Sequence, residues 1–200
     1  MSKSFVMAAV AASTVLTSAA SASILVYTDQ LLWNLQTASL NHSTENFSSY
    51  SGAYASPMSG SAGAVNWTAT ATGGLLVNGG ALTTANSTPM TLSFSGAAVQ
   101  GIAGNIYGTD VNTVAVPSLV LVTLNDGTSY LNLIDTATAF VGFYSTGAAI
   151  TSVQVSAQPL PGGTTAVFAT VDNLNFATVP APGAVALLGL AGLAGSRRRR

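Results

Sequence analysis

The sequence contains no cysteine, a single histidine and a single glutamate. Without cysteine the chain has neither disulfides nor a thiolate nucleophile, and its fold must hold by burial and strand pairing. All five basic residues, Lys3 and Arg197 to Arg200, lie at the two ends, so the long stretch between them has no lysine and no arginine. A Schiff-base lysine is thereby excluded. A stretch without cations also has no electrostatic footprint for phosphate, which disfavours nucleic acid and anionic lipid as partners. The same stretch keeps six carboxylates (Asp29, Glu45, Asp110, Asp126, Asp135 and Asp172), a formal charge of −6 that the whole-chain value of −1 conceals. No serine stands in a G-x-S-x-G elbow. The lone His42 sits in a Ser/Asn-rich segment, without the cluster of partners that zinc requires.

Both ends read as addresses. At the start, Lys3 supplies a positive n-region, Phe5 to Leu16 is apolar, and Ala20-Ser21-Ala22 fits an A-x-A cleavage site. A secretory signal peptide over residues 1–22 is expected, cut after Ala22 or after Ala20, with the secretion translocase as its partner. At the other end, Val179-Pro180-Ala181-Pro182 forms a hinge, Ala184 to Gly195 is uncharged and apolar, and Arg197, Arg198, Arg199 and Arg200 close the chain. The prolines deny the hinge a continuing helix. A helix from Gly183 to Ser196 would rise about 21 Å against a hydrocarbon core of about 30 Å. That suits a temporary membrane anchor with its basic stop on the cytoplasmic side.

The order and spacing of this ending, residues 179–200, resemble the PEP-CTERM sorting signal of bacterial exported proteins. The resemblance implies recognition by exosortase, a membrane-embedded processing enzyme. Ala181 stands where that family has its central glutamate, which leaves open processing by the usual enzyme, by a variant, or by none. An ordinary C-terminal anchor is the alternative.

Between the addresses, residues 23–178 are near the size of one domain. Ile24 to Tyr27 reads as a strand. Thr28 or Asp29 then caps a short helix whose apolar face is Leu31, Leu32 and Leu35, with Trp33 nearby. Asn41 to Gly63 predicts one strand, around Glu45 to Tyr50, within long loops. After it the period is two: Val65, Trp67, Ala69 and Ala71 alternate with polar residues, as do Met90, Leu92 and Phe94. Gly73-Gly74 and Asn78-Gly79-Gly80 bracket a short strand, and Ala98 to Tyr107 forms another with room for a bulge at Gly101 or Gly104. Asn125-Asp126-Gly127 joins two strands as a hairpin. Phe140 to Tyr144 and Ile150 to Ser156 read as a second pair, and Ala166 to Phe176 closes the body. The pattern predicts an all-β fold of nine or ten strands: a single antiparallel β-sandwich, jelly-roll-like, with one short N-terminal helix and a separate apolar C-terminal helix in the precursor.

Four short motifs, Glu45-Asn46-Phe47, Leu124-Asn125-Asp126-Gly127-Thr128, Phe140-Val141-Gly142-Phe143 and Asp172-Asn173-Leu174-Asn175-Phe176, resemble those of bodies found in many PEP-CTERM proteins. Such bodies look like jelly-roll carbohydrate-binding modules. That resemblance implies an extracellular polysaccharide ligand and a structural calcium, for which Glu45 and Asp172 are the candidate ligands, carboxylate oxygens being suited to that ion. Sugar binding needs exposed aromatic platforms, with Trp33, Tyr50 and Tyr54 as candidates beside Tyr107, Tyr130 and Tyr144. Trp67, on the apolar face of its strand, reads as core. The sequence thus points to an exported cell-surface or matrix protein with a non-catalytic, polysaccharide-binding sandwich. A structural or adhesive component without specific ligand is the alternative, and a glycosidase built on two of the scattered acids a distant third.

Overall fold

The computed structural model describes residues 23–180, and both addresses, apart from Val179 and Pro180, lie outside them. The described chain is an all-β sandwich with one short helix. Its elements run β1 (Ile24–Tyr27), α1 (Gln30–Gln36), β2 (Asn41–Glu45), β3 (Gly52–Tyr54), β4 (Met58–Ala62), β5 (Val65–Ala71), β6 (Leu75–Asn78) and β7 (Ala81–Thr84). They continue as β8 (Met90–Gly96), β9 (Val99–Thr109), β10 (Ala115–Val116), β11 (Ser118–Leu124), β12 (Ser129–Ile134), β13 (Phe140–Ser145), β14 (Ser152–Pro159) and β15 (Phe168–Thr178). A nine-stranded sheet has the order β1-β13-β9-β15-β7-β6-β3, with β2 also paired to β15 and β10 to β9. A six-stranded sheet has the order β12-β11-β14-β8-β5-β4. Every pairing is antiparallel.

The period-two pattern sets the layers. Along β5, Val65, Trp67, Ala69 and Ala71 are buried while Asn66, Thr68 and Thr70 turn outward. Met90 and Leu92 do the same on β8, and meet Leu75, Leu82, Leu174 and Phe176 of the other sheet in one continuous core. Asn125-Asp126-Gly127 forms the expected hairpin turn: Gly127 has φ +88°, and Asp126 Oδ1 accepts the Thr128 N–H at 2.9 Å. Glycine takes that backbone conformation without strain.

Three expectations are corrected. Asn41 to Gly63 holds three strands, β2, β3 and β4, and the segment expected to be extended, Glu45 to Tyr50, is largely a turn. The total is fifteen strands among the described residues, not nine or ten. Phe140 to Tyr144 and Ile150 to Ser156 do not pair with each other: β13 joins β1 and β9, whereas β14 joins β11 and β8 in the other sheet. The chain crosses between sheets there. The irregularity expected in β9 is present at Gly101, where Gln100 is the extra residue opposite the Ala177–Thr178 step, and a second one lies on β15, where Asn173 and Leu174 together oppose Gly104. Asn173 absorbs it with φ +49°, a conformation asparagine tolerates better than most side chains.

Helix α1 is capped as expected, Asp29 Oδ1 accepting the Leu31 and Leu32 N–H groups at 2.8 and 3.1 Å. Its apolar face is nevertheless inverted. Leu31, Leu32 and Leu35 are 66, 55 and 65% exposed, and Trp33 alone is buried. The indole lies on the outer face of the nine-stranded sheet, against Gly101 and Gly142, whose missing side chains leave room for it. Its Nε1–H donates to the Phe143 carbonyl at 3.2 Å. One aromatic anchor on a floor of two glycines outweighs three leucines.

Candidate functional site

The outer face of the nine-stranded sheet carries a buried cluster of threonine hydroxyls. Register brings Thr83 of β7 opposite Thr170 of β15, with Thr109 of β9 alongside. Their hydroxyls form a buried cluster, Thr109 and Thr170 at 2.9 Å and Thr170 donating to Thr83 at 2.9 Å. Such a network satisfies groups that would otherwise be costly to bury. Beside it the 110–114 segment folds across the sheet and bounds a cleft of about 250 Å³ with a mainly apolar lining. Leu76, Thr83 and Phe168 come from the strands, Asp110, Val111 and Thr113 from the loop.

The loop is held by its first residue. Asp110 Oδ1 accepts the Asn112 and Val114 N–H groups, both at 2.9 Å, and the Asp110 N–H donates to the Val114 carbonyl at 2.9 Å. Asn78 Nδ2 ties Thr113 Oγ1 to the end of β6 at 2.6 Å. Thr113 has φ +62°, which for a β-branched residue is strained and costs about 1–3 kcal/mol. Such a conformation persists only where several contacts enforce it. The loop also leaves Val111 77% exposed. The strained loop thus presents an apolar tip beside a cleft with a mainly apolar lining.

The expected site residues fall in three places. Trp33 is 1% exposed and is corrected from a sugar platform to the anchor of α1. Tyr50 and Tyr54 are half-buried neighbours, ring centroids 6.2 Å apart and planes at 80°. They close the open edge of the sandwich rather than presenting a flat shelf: Tyr50 stacks edge-on against Trp67 at 5.8 Å, and the Tyr54 hydroxyl accepts the Ser51 N–H at 3.1 Å. Burial first, then the Glu45 charge, pushes the Tyr50 phenol above its ordinary value of 10.0.

Glu45 and Asp172 lie on strands that pair, but their side chains face opposite ways. Glu45 stands opposite the core residue Leu174 and turns inward. Its Oε1 accepts the Phe47 N–H at 2.8 Å and its Oε2 the Trp67 Nε1–H at 3.0 Å, joining the two sheets. Asp172 follows the core residue Val171 and points to the outer face. The two carboxylates therefore do not converge on one ion, and the described residues hold no group of three or more His, Asp or Glu placed for a metal. The same divergence denies the pair the facing geometry of glycosidase acids.

Asp172 instead takes part in the outer-face chemistry. Burial pushes its carboxyl above the usual 3.8, against the opposing effect of the Asn173 N–H. Burial, and secondarily Asp172 itself, raises the phenol of Tyr107 on the same face. A carboxyl whose folded value is raised stabilises the fold at pH below the unfolded value and loses that contribution as pH rises through the folded one. Asp172→Asn is therefore expected to melt higher than wild type at pH 7, with the gap closing as pH falls toward 3.8. A gap independent of pH in thermal melts would contradict this.

Val179 is 41% exposed and Pro180 is exposed, at the end of the described chain. Ala20, Ala22, Ala181, Pro182 and Arg197 to Arg200 lie outside the described residues. Sequence reading missed the cleft. Valines at 111 and 114 within a polar loop were the only local sign, and Phe168 gave none. Compared with known protein families, with curated proteins and with solved structures, the chain matches none.

Proposed function

We propose that the chain is an exported envelope or matrix protein whose non-catalytic β-sandwich binds extracellular polysaccharide in the outer-face cleft. The observation that supports this best is the strained 110–114 loop, pinned by Asp110 over an apolar floor that includes the Phe168 ring. Sugar rings offer apolar C–H faces and hydroxyl rims. The cleft offers a ring and aliphatic floor, with Asp110 and Thr113 among the residues of its wall. At about 250 Å³ it is near the lower end of small-ligand sites, about 300–1,000 Å³, and takes a unit or two of a chain rather than a folded partner.

The two ends supply the address. Ser23 is already part of the fold, its N–H donating to Thr146 Oγ1 at 3.2 Å and its carbonyl accepting the Thr146 N–H at 3.0 Å. Cleavage after Ala22 would leave these contacts intact. The last backbone bond of the sandwich is Val179 N–H to the Ala98 carbonyl, 3.2 Å. A processing enzyme acting beyond Pro180 would therefore not disturb β15. In this reading the secretion translocase exports the chain and the tail holds it at the membrane. An exosortase-like enzyme then releases it to the surface.

The test is retention of the full-length protein, in mild detergent, on a panel of immobilised bacterial and plant polysaccharides. Phe168→Ala removes a ring contact of about 1.5–3 kcal/mol and is expected to weaken retention roughly ten- to hundredfold, with the fold intact by circular dichroism. Retention of this variant at wild-type strength would sink the cleft as the binding site. No retention of the wild type on any polysaccharide would favour the ligand-free structural role.

A further inference from the structure

We propose that β12, one of the two strands that end the six-stranded sheet among the described residues, is a self-association surface: two copies pair their β12 strands antiparallel, about a two-fold axis at Asn132. The proposal is independent of polysaccharide binding.

Soluble domains blunt their edge strands with charge, proline or bulges, because an open edge invites another chain. β12 (Ser129-Tyr130-Leu131-Asn132-Leu133-Ile134) has none of these, though it terminates its sheet. On the outer face Leu131 and Leu133 are 63 and 52% exposed. They stand opposite Leu121 and Leu119 of β11, making a patch of four leucines that runs up to the open edge. On the inner side Tyr130 packs against the core and Ile134 is buried within it.

Leu131-Asn132-Leu133 within the strand is symmetric about Asn132. With Asn132 on the two-fold axis, antiparallel pairing sets Leu131 against Leu133 of the second copy and Tyr130 against its Ile134. Outer leucines meet outer leucines, and inner residues meet inner ones. The backbone is oriented for this. The Leu133 N–H is turned to the open side, where it donates to Asn132 Oδ1 at 2.9 Å. Alternation along a strand turns the Leu131 groups the same way. Pairing exchanges one such side-chain bond in each copy, two in all, for four backbone bonds. Charge does not oppose it: β12 itself is uncharged, and the same register places Asp135 opposite Ser129 of the second copy, so no two carboxylates face each other across the strands. A strand of unrelated sequence would match the hydrogen bonds but not the Leu-Asn-Leu symmetry, which favours the chain itself as occupant.

Because the protein has no cysteine, one introduced thiol reports the register. In the proposed pair Asn132 faces its own copy at a non-hydrogen-bonded position, with Cα atoms about 4.5 Å apart, inside the disulfide range of about 4.4–6.8 Å. Cysteines at position 129 would instead sit six residues apart along the strand direction, about 20 Å. Full-length Asn132→Cys in detergent, mildly oxidised, is expected to form a covalent dimer as its main product, and Ser129→Cys at least tenfold less. Adding Leu131→Lys to Asn132→Cys should reduce the dimer at least tenfold. Equal yields from the two cysteine variants, or a monomeric Asn132→Cys product, would overturn the proposal. Sedimentation supplies a readout without cysteine. The wild-type chain is expected to sediment as a dimer at concentrations where Leu131→Lys, with the same tail, is monomeric, and identical masses for the two would also overturn it.

Discussion

Glu45→Ala is expected to destabilise the sandwich by about 2–4 kcal/mol, a fall in Tm of roughly 5–15 °C for a domain of this size. The side chain is 7% exposed and spends both oxygens on buried donors, the Phe47 amide in the turn after β2 and the Trp67 indole on the other sheet. Removing it strands the Trp67 indole N–H and the Phe47 amide, each of which then keeps its desolvation penalty without a partner. Phe47 adds to the cost, because its φ of +53° is strained for an aromatic residue and its amide is fixed by this carboxylate. Relief of a buried carboxylate with no cation beside it offsets part of the loss, which keeps the estimate below that of a broken buried ion pair. Trp67→Phe isolates one bond, keeping a ring against Phe47 and Tyr50 while deleting the indole N–H. In a thermal double-mutant cycle, Glu45→Gln and Trp67→Phe should be coupled by about 0.5–3 kcal/mol. Additive losses, or a Glu45→Ala protein that melts within about 2 °C of wild type, would show that the carboxylate is not what joins the sheets.

The second large effect is expected at the seat of α1. Trp33→Ala deletes an indole that is 1% exposed and leaves a cavity over Gly101 and Gly142. Buried aromatic truncations of this kind cost about 3–5 kcal/mol. Gly142→Ala attacks the same contact from below, since the added Cβ would stand 2.9 Å from Trp33 Cγ and 3.0 Å from Nε1. The indole must then lift from the sheet. With Leu31, Leu32 and Leu35 already in solvent, nothing else in the helix replaces it. The two substitutions should therefore be strongly non-additive. Hydrogen exchange should accelerate over residues 30–40, while the central strands β9 and β15 stay protected. Independent, additive losses in Tm, or unchanged exchange over that segment, would contradict the single-anchor account.

What the sequence disclosed and what it withheld divide along physical lines. Alternation in β5 and β8 was legible because each outward position is hydroxyl or amide and each inward one is apolar. The Asn125-Asp126-Gly127 turn was legible because its geometry asks for particular residues. β4, Met58-Ser59-Gly60-Ser61-Ala62, was not: its residues after Met58 are small, and its partner β5 makes a strand of it. The turn after β13 does not record whether the next strand returns to its own sheet or crosses to the other, as it does here. Trp33 was misplaced for a related reason. Helical periodicity favours three leucines inward, whereas the floor that receives the indole is built by glycines more than sixty residues away. The cleft depends on how the 110–114 loop lies across β6 and β7, a long-range fact no local pattern holds.

Hydrogen–deuterium exchange of the full-length protein, with and without soluble fragments of a polysaccharide that retains it, tests the proposed site most directly. Slower exchange confined to residues 110–114 and the start of β15 at Phe168 is the predicted footprint. Protection absent from those segments, and found instead around Tyr50 and Tyr54 or on the outer face of the six-stranded sheet, would contradict it.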